Sequence, residues 1–161
     1  MTRPILDVRN LTVRFGANEA VSGVTFTVDH GETVALVGES GSGKSVTALS
    51  TVSLLPDAAE VGGSIAYDGA EMIGASEAEL RAVRGNDISF IFQEPMTSLN
   101  PLHTLEKQIA ESLALHQGLG GAKARARIIE LLNRVGIRDP ESRLDAYPHQ
   151  LSGGQRQRVM I

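Results

Sequence analysis

The sequence predicts a mixed α/β part followed by a helical part. Three observations carry that expectation. Up to residue 92, short apolar runs of period two alternate with glycine-containing turns. A glycine-rich loop at residues 38–45 joins a strand-like run to a helix-like one. From residue 104 the apolar spacing changes to three and four. The expected division is therefore 1–92, a partial α/β core carrying the glycine-rich loop, and 93–161, a loop followed by a helical subdomain.

The elements follow in order. Leu6 and Val8, then Leu11, Val13 and Phe15, predict a strand over 6–15. Val24, Phe26 and Val28 predict another over 21–28, after a turn at Gly16-Ala17-Asn18-Glu19. A second turn, Asp29-His30-Gly31-Glu32, leads to Thr33-Val34-Ala35-Leu36-Val37, read as a buried strand. The first three strands are thus expected to be hairpin-linked, the third feeding a helix over 44–55 that stops before Pro56. Residues 64–67 predict a short strand closed by Asp68-Gly69. Ser76 and Glu79 have capping-box spacing and open a helix through Val83, with Gly85 as the stop. Ile88, Phe90, Ile91 and Phe92 make 87–92 a compact buried strand. Pro95 and Pro101 exclude regular helix or central strand over 93–101. Beyond them lie two helical faces, Leu105/Ile109/Leu113 and Ile128/Leu131/Leu132/Val135, separated by Gly118-Leu119-Gly120-Gly121 and ended by Gly136.

Bulk composition excludes several classes. The net charge of −4 argues against a domain held to nucleic acid by a broad basic field. The absence of cysteine excludes disulfides, thiolate-bound zinc and a thiol nucleophile. Residues 1–7 hold no apolar run like that of a signal peptide, and no stretch approaches the roughly 18 apolar residues of a membrane span.

The informative string is Gly38-Glu39-Ser40-Gly41-Ser42-Gly43-Lys44-Ser45. Its spacing is that of a phosphate-cradling loop between a strand and a helix. Glycines let backbone N–H groups turn inward, and the helix start adds partial positive charge. Lys44 would reach the β- and γ-phosphates, and the Ser45 hydroxyl would sit on Mg²⁺. The dinucleotide-binding pattern fails, because Val46 stands where a third glycine is needed. The loop implies a nucleoside triphosphate.

A second motif, Leu151-Ser152-Gly153-Gly154-Gln155, places another Ser-Gly-Gly turn at a helix start. Paired with the upstream loop, it resembles the signature sequence of ABC ATPases, and the resemblance covers all 161 residues. Phe15 stands where that family places an aromatic ring against adenine, although it also alternates with Val13 and Leu11 as a core residue would. Gln93 stands where the family places the glutamine that approaches Mg²⁺ and the attacking water; satisfying strand-end backbone groups is the plainer alternative. The wording of residues 92–101 and Tyr147-Pro148-His149-Gln150 looks like the peptide/nickel importer branch, and Leu99 to Thr104 look closest to the microcin-C/oligopeptide type.

The resemblance implies a P-loop NTPase fold of the ABC nucleotide-binding type, here incomplete: N-terminal antiparallel strands and part of the parallel core, then the helical subdomain. It implies ATP and Mg²⁺ as ligands. Two such domains pair head to tail, so that Gly38, Glu39, Ser40, Gly41, Ser42, Gly43, Lys44 and Ser45 of one face Ser152, Gly153, Gly154 and Gln155 of the other. Partners implied are the second nucleotide-binding domain, membrane permease subunits with a helix that residues 94–101 receive, and indirectly a solute-binding protein, at the cytoplasmic face of the inner membrane. An ATPase of the same family without a transport role, and a nucleotide-binding module without turnover, are the alternatives. The family's apolar strand ending in Asp-Glu and its later switch histidine are not in the sequence, so the chain reads as an N-terminal fragment, inactive alone, with the apolar runs 34–37 and 88–92 left unpaired and prone to aggregate. His149 is expected to serve packing; His30, His103 and His116 show no ligand spacing. Lys123, Arg125 and Arg127 read as a solvated face, while Arg156 and Arg158 either support phosphate geometry or face solvent.

Overall fold

The computed structural model describes residues 3–92 and 99–161. They form two compact units, Met1–Ile88 and Ser89–Ile161. The first is built on an antiparallel sheet of β1 (Leu6–Phe15), β2 (Asn18–Val28), β3 (Ala59–Tyr67) and β4 (Ala70–Glu71) in the order β2-β1-β3-β4. β1 is central, pairing Phe15 with Asn18 on one side and with Ala59 on the other. Its apolar parity changes from Leu6/Val8 to Leu11/Val13/Phe15 because a bulge intervenes. Asn10 has φ +47, register shifts flank it on both ladders, and the Thr25 hydroxyl accepts its N–H at 2.9 Å. Gly63 must be glycine opposite that bulge: its φ is +97, and a Cβ there would lie 2.5 Å from the Asn10 carbonyl oxygen. Val8, Leu11, Val13, Val21 and Ile65 are buried on the sheet, and α1 (Lys44–Ser50) packs against β1 and β2. α2 (Glu77–Val83) carries the expected capping box, with the Ser76 N–H donating to Glu79 Oε2 at 2.8 Å and the Glu79 N–H donating back to Ser76 Oγ at 3.4 Å.

Four expectations are corrected. Residues 33–37 are not a buried strand: they form no ladder, and Val37 is 85% exposed. Residues 87–92 likewise form no strand; a single parallel bridge joins Arg84 to Ile88, and Ile91 and Phe92 are more than half exposed. The reason is common to both, since a strand is a pairing and neither run has a ladder partner among the described residues. Their exposed apolar side chains are those the sequence expects if the runs stay unpaired. The third strand of the sheet is instead β3, which begins at Ala59 and not at residue 64, and α1 ends at Ser50 and not at residue 55.

The second unit contains α3 (Leu105–Gln117), α4 (Gly121–Arg134), α5 (Pro140–Arg143), a 3₁₀ turn (Pro148–Gln150) and α6 (Gly153–Met160). Its core is Leu113, Ala124, Ile128, Leu132, Ile137 and Leu144, with Ile109, Leu131, Val135 and Val159 packed against it. The helix-period reading of 105–135 holds in detail. Thr104 caps α3 through the Lys107 N–H at 3.4 Å, and Gly118 closes it in the left-handed conformation. Two first-turn donors of α3, the N–H groups of Leu105 and Glu106, reach the carbonyls of Ala146 and Leu144 at 3.0 Å each. Arg125 does not merely face solvent: it makes a two-pronged bond with Glu106 across α3 and α4, both contacts at 2.8 Å.

Candidate functional site

The glycine-rich loop opens α1 in the first unit. Gly41 and Gly43 have φ values of +81 and +86, which only glycine adopts cheaply. At Gly43 a second constraint acts. A Cβ would lie 2.4 Å from the Ala20 carbonyl oxygen and 3.2 Å from Val21 Cγ2, so the start of α1 lies directly on the backbone of β2. Gly38 is tight in the same sense, its Cβ position being 2.7 Å from Ser42 Oγ. Within the loop the Lys44 ammonium donates to the Gly38 carbonyl at 2.9 Å, the Glu39 carbonyl at 2.5 Å and Ser42 Oγ at 3.3 Å. Its acceptors are neutral oxygens, and no carboxylate pairs with it among the described residues. The loop therefore presents an unneutralised cation among backbone groups, a chemistry that fits a phosphate. Ser45 is exposed beside it, able to offer one hydroxyl to a metal. No cluster of three His, Asp or Glu capable of holding a metal occurs among the described residues.

Phe15 is half-buried, two residues beyond Val13 on the covered side of β1. Val13 pairs with Val21, the residue against which Gly43 packs, so the ring and the loop share one end of the sheet. Gln93, expected to position Mg²⁺ and water, lies outside the described residues, as do 94–98 of the expected permease-facing loop.

In the second unit, Ser152 caps α6 with a full capping box. Its N–H donates to Gln155 Oε1 at 2.9 Å, and its Oγ accepts the Gln155 N–H at 3.3 Å. The Arg156 N–H goes to the Ser152 carbonyl at 2.9 Å. The first-turn donors left over are those of Gly153 and Gly154, both exposed and with open space where a Cβ would stand. Gln155 is thus an orienting group for the turn. Arg158 is exposed, as one of the two expectations had it, but not idle: it donates to the Gly136 carbonyl at 2.9 Å and the Gly154 carbonyl at 3.3 Å, tying α6 to the end of α4. Arg156 Nε donates to the Leu151 carbonyl at 3.1 Å. His149 is exposed and not packed inside; its ring lies 5.6 Å from that of Tyr147 at 17°. Sequence reading missed the contact of Gly43 with Ala20, which no residue pattern signals.

A family model described as ABC transporter matches residues 21–161. This chain belongs to the ABC transporter family. Among its relatives, the peptidoglycan transport ATP-binding protein YejF of Agrobacterium fabrum is 63% identical over 99% of this chain and 30% of its own length. A putative peptide import ATP-binding protein of Brucella abortus is 51% identical over 99% of this chain and 50% of its own. The oligopeptide transport ATP-binding protein OppD of Mycobacterium bovis is 47% identical over 98% of this chain and 27% of its own. The chain spans at most half the length of these curated relatives. Among solved structures, the dimeric ABC transporter cassette MJ0796 matches with a TM-score of 0.79 at 28% identity, over 97% of this chain and 67% of that one. Its post-hydrolysis form bound to ADP and Pi matches at 0.78, also at 28% identity, over 96% and 66%. The ABC ATPase fold expected from the sequence is therefore present, in part. No helix of the described residues is long and apolar enough to cross a membrane.

Proposed function

We propose that this chain is the nucleotide-binding portion of a subunit that energises import of peptides or related solutes through a membrane permease. The observation that carries the reading is Lys44, an ammonium held only by neutral oxygens inside a loop of left-handed glycines. The names of the relatives that match nearly the whole chain support the peptide-type solute and the transport role.

ATP lies with its phosphates on the backbone of residues 38–45 and Lys44, and its base against Phe15. Ser45 and Gln93 serve Mg²⁺, and Gln93 also orients water. Ser152, with the N–H groups of Gly153 and Gly154, meets the γ-phosphate held by a second copy or second domain. The dimeric form of the MJ0796 cassette supports that pairing. Residues 1–92 carry the nucleotide loop, and 93–161 carry Gln93, the permease-facing loop and the signature. The 161 residues alone bind without turnover, because they contain no acidic pair ending an apolar strand to act as base. The parent hydrolyses ATP at the cytoplasmic face of the membrane and needs no nucleic acid. Titration of the full chain with Mg-ATP tests this: saturable binding lost in Lys44→Ala is expected. A folded wild-type chain that binds no nucleotide would overturn the reading, and failure of the parent to copurify with a permease would overturn its transport part.

A further inference from the structure

The far end of α1 closes around a serine. The Leu54 N–H donates to the Leu49 carbonyl at 3.0 Å and the Ser53 N–H to the Ser50 carbonyl at 3.1 Å. Those paired bonds end a helix through one left-handed residue, and Ser53 supplies it at φ +53 where glycine is the usual choice. The carbonyls of this turn are both taken by one side chain. Arg84 Nε donates to the Val52 carbonyl at 2.8 Å and Nη2 to the Ser53 carbonyl at 2.7 Å. Its third nitrogen, Nη1, donates to the Glu77 carboxylate at 3.2 and 3.3 Å. The Arg84 side chain is only 23% exposed and its bond to the Val52 carbonyl is partly buried, while its bonds to Ser53 and Glu77 lie at the surface. Arg84 itself is fixed as the C-cap of α2, its N–H bound to the Leu80 carbonyl.

We propose that Arg84 is a positioning residue for the phosphate loop, acting through α1. A helix of seven residues is a rod about 10 Å long. Its near end rests on the Ala20 carbonyl with no room for a methyl group at Gly43. Its far end is held by the Arg84 fork, with Glu77 fixing the fork's orientation. Loss of the fork lets the strained Ser53 turn relax and the rod pivot on Gly43, which moves Lys44 and the loop that α1 begins. A lysine at 84 keeps the charge, but its donors radiate from one nitrogen and cannot span the separate positions that the three guanidinium nitrogens occupy.

The proposal rests on the nucleotide reading of the loop, and its test separates the two. The full chain is compared with Arg84→Gln, Arg84→Lys and the double variant Arg84→Gln with Ser53→Gly, by Mg-ATP titration and by amide hydrogen exchange resolved along the chain. Arg84→Gln should weaken Mg-ATP binding about tenfold and speed exchange over residues 44–54, leaving 105–160 unchanged. Arg84→Lys should recover part of the affinity, and adding Ser53→Gly should recover part by removing the strained turn. Affinity within twofold of wild type in Arg84→Gln overturns the proposal, as does faster exchange spread over both units. If Arg84→Gln does not fold, wild-type affinity in a folded Arg84→Lys overturns it equally. A wild-type chain that binds no Mg-ATP defeats the nucleotide reading itself, while exchange over 44–54 still reports whether Arg84 holds α1.

Discussion

Replacing Gly43 with alanine sets a methyl carbon 2.4 Å from the Ala20 carbonyl oxygen and 3.2 Å from Val21 Cγ2. Ordinary carbon–oxygen contact begins near about 3.3 Å, so the start of α1 must retreat from β2 by roughly 0.9 Å. The backbone adds its own penalty. At φ +86 any Cβ costs about 1–2 kcal/mol, and forcing an extra carbon against packed backbone adds about 1–3 kcal/mol, for a total of about 2–5 kcal/mol. Gly41 supplies the control, because its φ is +81 but nothing lies within 4 Å of its Cβ position. Gly41→Ala should therefore cost only the backbone penalty, about 1–2 kcal/mol. Urea unfolding of both variants reads the stability difference, and Mg-ATP titration of each reads the loop. Gly43→Ala should be the less stable by about 1 kcal/mol or more. Equal midpoints for the two, within about 0.5 kcal/mol, would refute the claim that α1 is seated on the β2 backbone.

Three further outcomes are expected. Ser152→Ala removes the cap of α6 and should cost about 1 kcal/mol, read as faster exchange of the Gln155 amide while the first unit is unchanged. Leu132→Ala hollows the core of the helical unit and should cost about 2–5 kcal/mol, read as a lower melting transition with the Lys44 loop intact. Burial pushes the Glu71 carboxyl up, but hydrogen bonds from the Ser64 hydroxyl and the N–H groups of Ile65, Ile73 and Met72 together carry it below the ordinary carboxylate value. A carboxylate depressed on folding contributes fully above its unfolded value and loses that contribution as pH falls through its folded value. The stability gap between wild type and Glu71→Gln should thus be constant near neutrality and shrink in acid, checked by thermal melts from about pH 7 down to pH 3.

The elements that could be read from sequence are those whose cause is local. The capping box of Ser76 and Glu79 and the 3.6-residue periodicity of Leu105 to Val135 each occupy a few consecutive turns, and both appear as expected. The parity break in β1 was visible as Leu6/Val8 against Leu11/Val13/Phe15, although only the structure explains it, by the bulge at Asn10. What failed was non-local. The apolarity of residues 33–37 and 87–92 speaks for burial against something, and nothing in either run specifies the neighbour a strand needs. β3 was half hidden because Gly62 and Gly63 interrupt alternation where the strand passes closest to Asn10. The same division holds at the site. The loop and the Ser-Gly-Gly turn are legible as strings, whereas the seat of Gly43 on Ala20 and the link from Arg158 to Gly136 join residues more than 20 apart.

The three oxygens around the Lys44 ammonium also bear on kinetics. Gly38 and Glu39 lie in a solvent-exposed stretch, so when an arriving phosphate draws the ammonium away, water can take over both carbonyls at once. No buried group is orphaned along the way, and the loop's glycines can keep their turns. Entry then requires rotation of one long side chain, a motion of picoseconds to nanoseconds, and no opening of the backbone. On the proposed reading, capture at this loop is accordingly set by how often a triphosphate meets it, and residence by how well the anion outcompetes three resident oxygens for one lysine.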